Sequence, residues 1–360
     1  MVARNNLGVT AASEKFLPVA PPQIIENAYT EDQHRRLLGV VRDNGPWPLI
    51  LAENFKTPEE VIATTSGTIP EGVTLTWDML LSQAPVFRGY LGREGVCLYP
   101  ELEDCFYNSR FLELVRNYRG AKYAVPETFL FNIQGPSPIG GPPHLDGTVF
   151  RGMTMGNTPL WLLLTMTKSC LFRKWQAKKA QVIAWYYRGK IGGGFNCWPD
   201  GPRGEPLQIN APMWGRAVVV ENEMMFHHGQ ASGPVSMRNP RGLDISSTFG
   251  PDPQDPTGWQ IETFGKVSQK VPAQEMRFLV HWGAQLFMDL DELKVSMDHT
   301  DDITQDQAVN MLIADMRQRG VAFETPSDPM NDRRFVALVS QVYDIGGPTN
   351  IPAEAVDVAA

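Results

Sequence analysis

Glu127-Thr128-Phe129-Leu130-Phe131-Asn132-Ile133-Gln134 leads through the Gly/Pro-rich segment Gly135 to Pro143 into His144-Leu145-Asp146. The first run has the aromatic and β-branched content of a strand, and the glycines and prolines after it make a loop that delivers the chain to His144. On an extended segment, positions i and i+2 face the same way, so His144 and Asp146 can grip one ion. Further on, the apolar strand Arg216 to Val220 passes through Glu221-Asn222-Glu223 to Met225-Phe226-His227-His228-Gly229. Two imidazoles and one carboxylate cover three of six octahedral positions and leave the other three open, the donor set of non-haem Fe(II) sites. A third histidine would point to a zinc hydrolase instead. Adjacent strand residues face opposite ways, so only one of His227 and His228 can join the group. His227 shares its face with Met225 and Gly229 and is preferred. The competing reading makes His144 and His227 structural polar residues at strand ends.

Around this centre the texture is that of many short strands. Gln181 to Arg188, Phe195 to Trp198, Leu243 to Phe249, Trp259 to Phe264 and Met276 to Phe287 all carry β-branched and aromatic residues, and Gly/Pro turns such as Pro199-Asp200-Gly201-Pro202 separate them. Such a pattern favours a barrel or jelly roll over a parallel sheet. A buried helix is expected over about 158–176. Gly192-Gly193-Gly194 lacks the surroundings of a phosphate loop and reads as a tight turn beside the β core.

The flanks read as helical. Thr30-Glu31-Asp32-Gln33 and Thr57-Pro58-Glu59-Glu60 are capping boxes, and a further helix covers Arg110 to Tyr118 before Gly120. Thr304 to Gln307 caps a run with Val309, Leu312, Ile313 and Met316 on one face. The expected plan for 1–360 is one domain: an extended arm over 1–25, a helical part over 26–120 carrying no chemistry, a β core over 121–289, and a helical part and tail over 290–360.

With 42% hydrophobic residues, the 360-residue chain can bury a large core. Its net charge of −8 and lack of a large basic stretch argue against a nucleic-acid partner. Arg173-Lys174 and Lys178-Lys179, the densest positive cluster, read as a solvated helix face. Met1 to Phe16 has no apolar signal core, and the apolar run from Leu160 falls short of a membrane helix. Cys97, Cys105, Cys170 and Cys197 show no metal or redox spacing and read as reduced thiols, so a cytoplasmic protein is expected. His281 and His299 read as lone structural histidines. Trp185, Tyr186, Tyr187, Phe195 and Trp198 are candidates for an apolar pocket wall or for core.

On His144-Leu145-Asp146, the following Phe150-Arg151-Gly152, and Gly215 to Val220 leading to Met225-Phe226-His227, the chain resembles the Fe(II)/2-oxoglutarate-dependent dioxygenase superfamily over roughly 121–289. The resemblance implies a double-stranded β-helix of the jelly-roll, cupin-like class. It also implies that His144, Asp146 and His227 bind Fe(II). Asp146 argues against the halogenating branch, where a small residue stands at this position. An arginine on a strand after His227 is then expected to hold the distal carboxylate of 2-oxoglutarate, because its planar fork matches a carboxylate. Arg277 ranks first, Arg241 second and Arg238 third; the serine commonly found two positions on is missing, with Leu279 and Leu243 there instead. Asn132 and Gln134, of equal strand parity, are candidates to bond the co-substrate.

The activity so implied is oxidation of a C–H bond by O2, with 2-oxoglutarate released as succinate and CO2. Hydroxylation is the leading outcome, with desaturation and cyclisation left open. The expected substrate is a small organic molecule with an apolar portion, such as a secondary metabolite or lipid-like compound, and a homodimer is compatible. Two alternatives stand beside this reading: a jelly-roll ligand-binding protein without redox chemistry, and a cupin-type metalloenzyme without 2-oxoglutarate.

Overall fold

The computed structural model describes residues 16–65, 74–81 and 85–357. In chain order the strands are β1 (Gln23–Ile25), β2 (Trp47–Pro48), β3 (Phe87–Arg93), β4 (Val96–Cys97), β5 (Tyr123–Gln134), β6 (Gly140–His144), β7 (Lys178–Tyr187) and β8 (Phe195–Cys197). They continue with β9 (Leu207–Ile209), β10 (Met213–Val220), β11 (His227–Gly229), β12 (Thr248–Pro251), β13 (Trp259–Thr263), β14 (Lys266–Val271) and β15 (Arg277–Phe287). The helices are α1 (Glu31–Asp43), α2 (Ile50–Asn54), α3 (Trp77–Leu81), α4 (Glu103–Phe106), α5 (Ser109–Arg119), α6 (Leu160–Ser169), α7 (Leu290–Met297), α8 (Gln305–Gln318) and α9 (Arg333–Val342).

A seven-stranded antiparallel sheet, ordered β1-β10-β7-β15-β5-β3-β4, forms the body. Its two faces follow from period-two alternation. Phe129, Phe131 and Ile133 of β5, Ala180, Val182 and Ala184 of β7, and Phe278, Val280 and Trp282 of β15 pack in one large apolar cluster with Leu37 and Val41 of α1 and Phe111 and Val115 of α5. The opposite parity faces inward. There Ile183, Trp185 and Tyr187 of β7 and Val218 and Val220 of β10 meet Phe195, Cys197 and Ile209. Those three belong to a four-stranded sheet, β6-β11-β8-β9, and a further sheet runs β14-β13-β12-β2. The fold is thus mainly antiparallel β with helices outside it.

The helix α6 is buried from Leu160 to Lys168, so it reads as a hydrophobic run rather than an amphipathic stripe. With α8 and α9 it builds a second core around Trp161, Leu164, Leu312, Met316 and Val339.

The capping boxes at Thr30 and Thr304 form as their spacing predicts, and Gly120 ends α5 in the left-handed conformation with φ of 66°. Several expectations need correction. The expected helix over 158–176 ends at Ser169, because Cys170 turns left-handed with φ of 60°. The box at Thr57 makes only a 3-10 turn, Pro58–Ala63, with no side-chain cap. Leu243 to Ser247 lie outside any strand, with a turn at Ile245-Ser246, and the strand begins at Thr248. The arm lies partly outside the described residues, but Gln23–Ile25 pairs with Ala217 to Val219 as an edge strand. The N-terminal part is not only helical: β3 and β4 extend the main sheet beyond β5. Lys178-Lys179 opens a strand rather than a helix face, and Lys179 is buried. The strands β6, β9 and β14 were not anticipated. Among the described residues no helix is long and apolar enough to cross a membrane.

Candidate metal centre

The two sheets meet at the histidines. Strand β11 runs between β6 and β8, and its register sets His227 directly opposite His144. Two residues along β11 then match four along β6, since Gly229 pairs with Gly140. This bulge requires glycine: a Cβ on Gly140 would fall 2.3 Å from the Gly229 Cα. His144 is the last residue of β6, and Asp146 follows beyond the strand end rather than on it. Asp146 is held there by backbone, its N–H donating to the Asn222 carbonyl at 3.2 Å.

His144, Asp146 and His227 form a group able to hold a metal ion, with one donor atom from each within 4.8 Å of the others. The ring nitrogens have distinct tasks. His144 Nδ1 lies 2.9 Å from the Pro142 carbonyl and His227 Nδ1 lies 3.0 Å from the Met225 carbonyl. Both Nδ1 atoms therefore carry the proton and donate it, leaving each Nε2 lone pair for a ligand. His227 Nε2 faces Asp146 Oδ1 at 3.6 Å, and the two rings are 4.5 Å apart. Burial, with His227 beside it, pushes the His144 imidazolium down to about 4, so the ring is neutral at pH 7. Burial also opposes charge on Asp146. Without a bound metal the facing His227 ring, which burial would push down but the carboxylate raises, more than offsets this by taking a second proton on Nε2, the proton a metal ion would replace. The Asp146 carboxyl is thereby held well below its usual range. The resulting donor set, two imidazoles and a carboxylate, fits Fe(II).

Asn222 steadies this group by donating Nδ2–H to Asp146 Oδ2 at 3.2 Å. Its own N–H donates to Gln181 Oε1, and the Gln181 amide donates to Glu223. Lys179 lies 2.8 Å from Glu127 Oε2 and 3.6 Å from Glu223 Oε1. Burial alone would depress the Lys179 ammonium; Glu127 and Glu223 more than offset it and hold it above its ordinary value. This network escaped the sequence reading. The available signal was parity, since Lys179 and Gln181 share the inward face of β7 with Ile183, and a buried lysine needs a carboxylate.

His227 and Asp146 open on a cavity of about 270 Å³ between the two sheets. Arg277, Leu279 and His281 of β15 and Leu130, Asn132 and Gln134 of β5 line it, and Arg277 pairs in register with Gln134. Arg277 is buried, its Nε donating to the Gly193 carbonyl at 2.8 Å and a terminal nitrogen to the Gly194 carbonyl at 3.2 Å. Burial lowers its guanidinium to about 10, and among the described residues it has no carboxylate partner. Arg241 is exposed in a turn and does not reach the cavity. Arg238 is buried elsewhere, donating to the Gly233 carbonyl. Arg151 points away and pairs with Asp301.

Other candidates are redistributed too. His228 faces out of the group, bonded to Asn196 at 3.1 Å and stacked on Trp198. Of the five aromatics, only Phe195 lines the cavity; Trp185 and Tyr187 fill the sandwich, Tyr186 lies under the helices, and Trp198 joins the second core. His281 lines the cavity outside the ligand group, and burial pushes it down to about 4. The N-terminal part, expected to carry no chemistry, supplies Ile50, Leu51, Phe55, Val61 and Arg88 to the wall.

No protein-family model matches the sequence, and no curated protein sequence matches it. Solved structures with a loosely similar arrangement include a 2OG-Fe(II) oxygenase family oxidoreductase from Burkholderia pseudomallei, at 11% identity, TM-score 0.36, and coverage of 77% of this chain and 91% of that one. HygX from Streptomyces hygroscopicus, solved with nickel, 2-oxoglutarate and hygromycin B, overlaps at 8% identity, TM-score 0.33, and coverage of 79% and 88%. The Escherichia coli ribosomal oxygenase YcfD overlaps at 9% identity, TM-score 0.27, and coverage of 92% and 65%. At these scores the likeness is loose, and the chemistry proposed below rests on this chain's own residues.

Proposed function

We propose that the protein is an Fe(II)- and 2-oxoglutarate-dependent oxygenase of small organic molecules, its two facing sheets forming a double-stranded β-helix. One observation carries the reading: the His144-Asp146-His227 group opens on the same cavity as Arg277, a buried cation with no carboxylate partner among the described residues. A buried charge without a counter-charge is costly unless a ligand supplies one. Iron with 2-oxoglutarate would supply oxidation of a substrate C–H bond by O2, with release of succinate and CO2. His144, Asp146 and His227 hold the metal from one side. Arg277 receives the distal carboxylate of the co-substrate, and the Gly193 and Gly194 carbonyls fix the direction of its fork. Gln134, opposite Arg277, and Asn132 offer amide groups beside that site. Leu130, Ile183, Phe195 and Leu279 make the walls apolar, which excludes water and leaves room for an apolar substrate portion.

The test is an anaerobic titration of the metal-free protein with Fe(II) and 2-oxoglutarate, following the weak visible charge-transfer band of the chelate. The band should form in the wild type and be lost in His144→Ala and His227→Ala. Arg277→Leu should bind Fe(II) normally while its 2-oxoglutarate affinity falls by about tenfold or more. Metal binding without a band would favour a cupin-type metalloenzyme; no metal binding at all would leave a ligand-binding protein.

A further inference from the structure

Three cationic side chains among the described residues line the cavity: Lys179, Arg277 and Arg88. Lys179 is matched by Glu127 and Glu223, and Arg277 is assigned above to the co-substrate. Arg88 has no such partner. It stands on β3 opposite Asn132, and its Nε donates to the Asn132 Oδ1 at 2.9 Å. Among the described residues it makes no ion pair; Glu53 feels its charge electrostatically without coming within 4.0 Å. With Nε engaged, the two terminal amino groups remain as an end-on fork, which matches the two oxygens of a carboxylate.

The position of Arg88 separates it from Arg277. Strands β3 and β15 flank β5, so the two arginines rise from strands about 10 Å apart, and each can hold its own anion. The cavity that Arg88 shares with His144, Asp146 and His227 is also lined by Val61, Val86, Leu130, Leu145 and His281. A largely apolar cavity whose wall carries a cation outside any ion pair among the described residues selects a molecule of matching polarity.

We propose that the substrate is a small carboxylic acid with an apolar body, its carboxylate bound by Arg88 and its carbon skeleton lying before His144, Asp146 and His227. This inference rests on the oxygenase reading of the same cavity. The role of Arg88 is specificity: it places the skeleton by its charged end, so that one part of the apolar body lies nearest the metal group.

Calorimetric titration of the protein loaded anaerobically with Fe(II) and 2-oxoglutarate tests it. The probes are hexanoate, octanoate, decanoate and phenylacetate against the corresponding primary amides. The acids should bind the wild type at least about tenfold more tightly than the amides, with the chelate band retained at saturation. Arg88→Leu should erase that preference and Arg88→Lys should keep part of it. Arg88→Gln, which can still bond Asn132, should erase it too and serves if the leucine variant does not fold. Equal affinity for acids and amides, no binding of any acid, a preference surviving in Arg88→Gln, or loss of the band as acid binds would each overturn the proposal. The two readings fail separately. If the wild type forms no chelate band yet prefers acids over amides through Arg88, the oxygenase assignment falls and the carboxylate site stands.

Discussion

Lys179 shows at the scale of one residue why the surroundings of the metal group matter. Its ammonium is buried on the inward face of β7 between two buried carboxylates, those of Glu127 and Glu223. Removing one member of such a cluster leaves the others charged and uncompensated, at a cost of roughly 3–5 kcal/mol. Lys179→Met should therefore lower the urea midpoint strongly at pH 8. The deficit should narrow at pH 5. Burial already pushes the Glu223 carboxyl up, and without the lysine nothing offsets that, so stability lost at high pH returns as Glu223 protonates. An unchanged midpoint would mean that the cluster does not hold the fold. The sequence made His144 and Asp146 legible because an i, i+2 spacing of donor types is a local property, and His227 because a histidine pair follows the apolar strand ending at Val220. It hid Lys179, because a lysine pair in isolation looks like surface, and only the partners arriving from β5 and from the turn after β10 make it interior.

Elements carry the next layer. The strand pair β6-β11 brings His144 and His227 across from each other, and it depends on Gly140 meeting Gly229 backbone to backbone. A methyl at Gly140 has no flexible neighbour to displace. Gly140→Ala should thus shift β6 and weaken Fe(II) affinity about tenfold or more, with the bulk secondary structure retained by circular dichroism. Wild-type affinity in that variant would show that the bulge does not position the ligands. This strand was not legible in the sequence, since Gly140 to Pro143 has turn composition and no alternation. What makes it a strand is the partner β11, whose backbone supplies the ladder. The strands β5, β7, β10 and β15 were legible because each carries a dense run of β-branched and aromatic residues, most of them buried. The helices α1 and α8 were legible through their capping boxes, whose chemistry closes within four residues.

The described residues form three antiparallel sheets with helices packed against them, and the second core buries one more charge. Lys168, near the end of α6, is buried with its ammonium donating to the Thr65 carbonyl at 2.6 Å. Burial lowers it to about 8. The folded state therefore binds fewer protons than the unfolded chain between about 8 and 10.5, and stability rises with pH across that window. At pH 7 the burial cost is fully present, worth about 3 kcal/mol before the hydrogen bond to Thr65 is counted. Lys168→Met should raise the urea midpoint at pH 7 relative to the wild type, with the gap closing toward pH 10. A gap independent of pH would remove the burial argument.

The sequence by itself determined the His144-Asp146 pair, the mainly β character and the two capped helices, because each depends on residues within a few positions of one another, and it offered His227 through its donor type and the apolar strand before it. It also singled out Arg277, since an arginine heading an apolar strand needs a counter-charge wherever that strand lies. Only the tertiary structure decided that Arg277 shares a cavity with the ligand group while Arg241 stays at the surface. The same holds for the enclosure of Lys179 by acids and the presence of Arg88 in the wall. Those outcomes depend on which strands become neighbours, and pairing between strands far apart in the chain is settled by register and burial over the whole sheet, which no local pattern encodes.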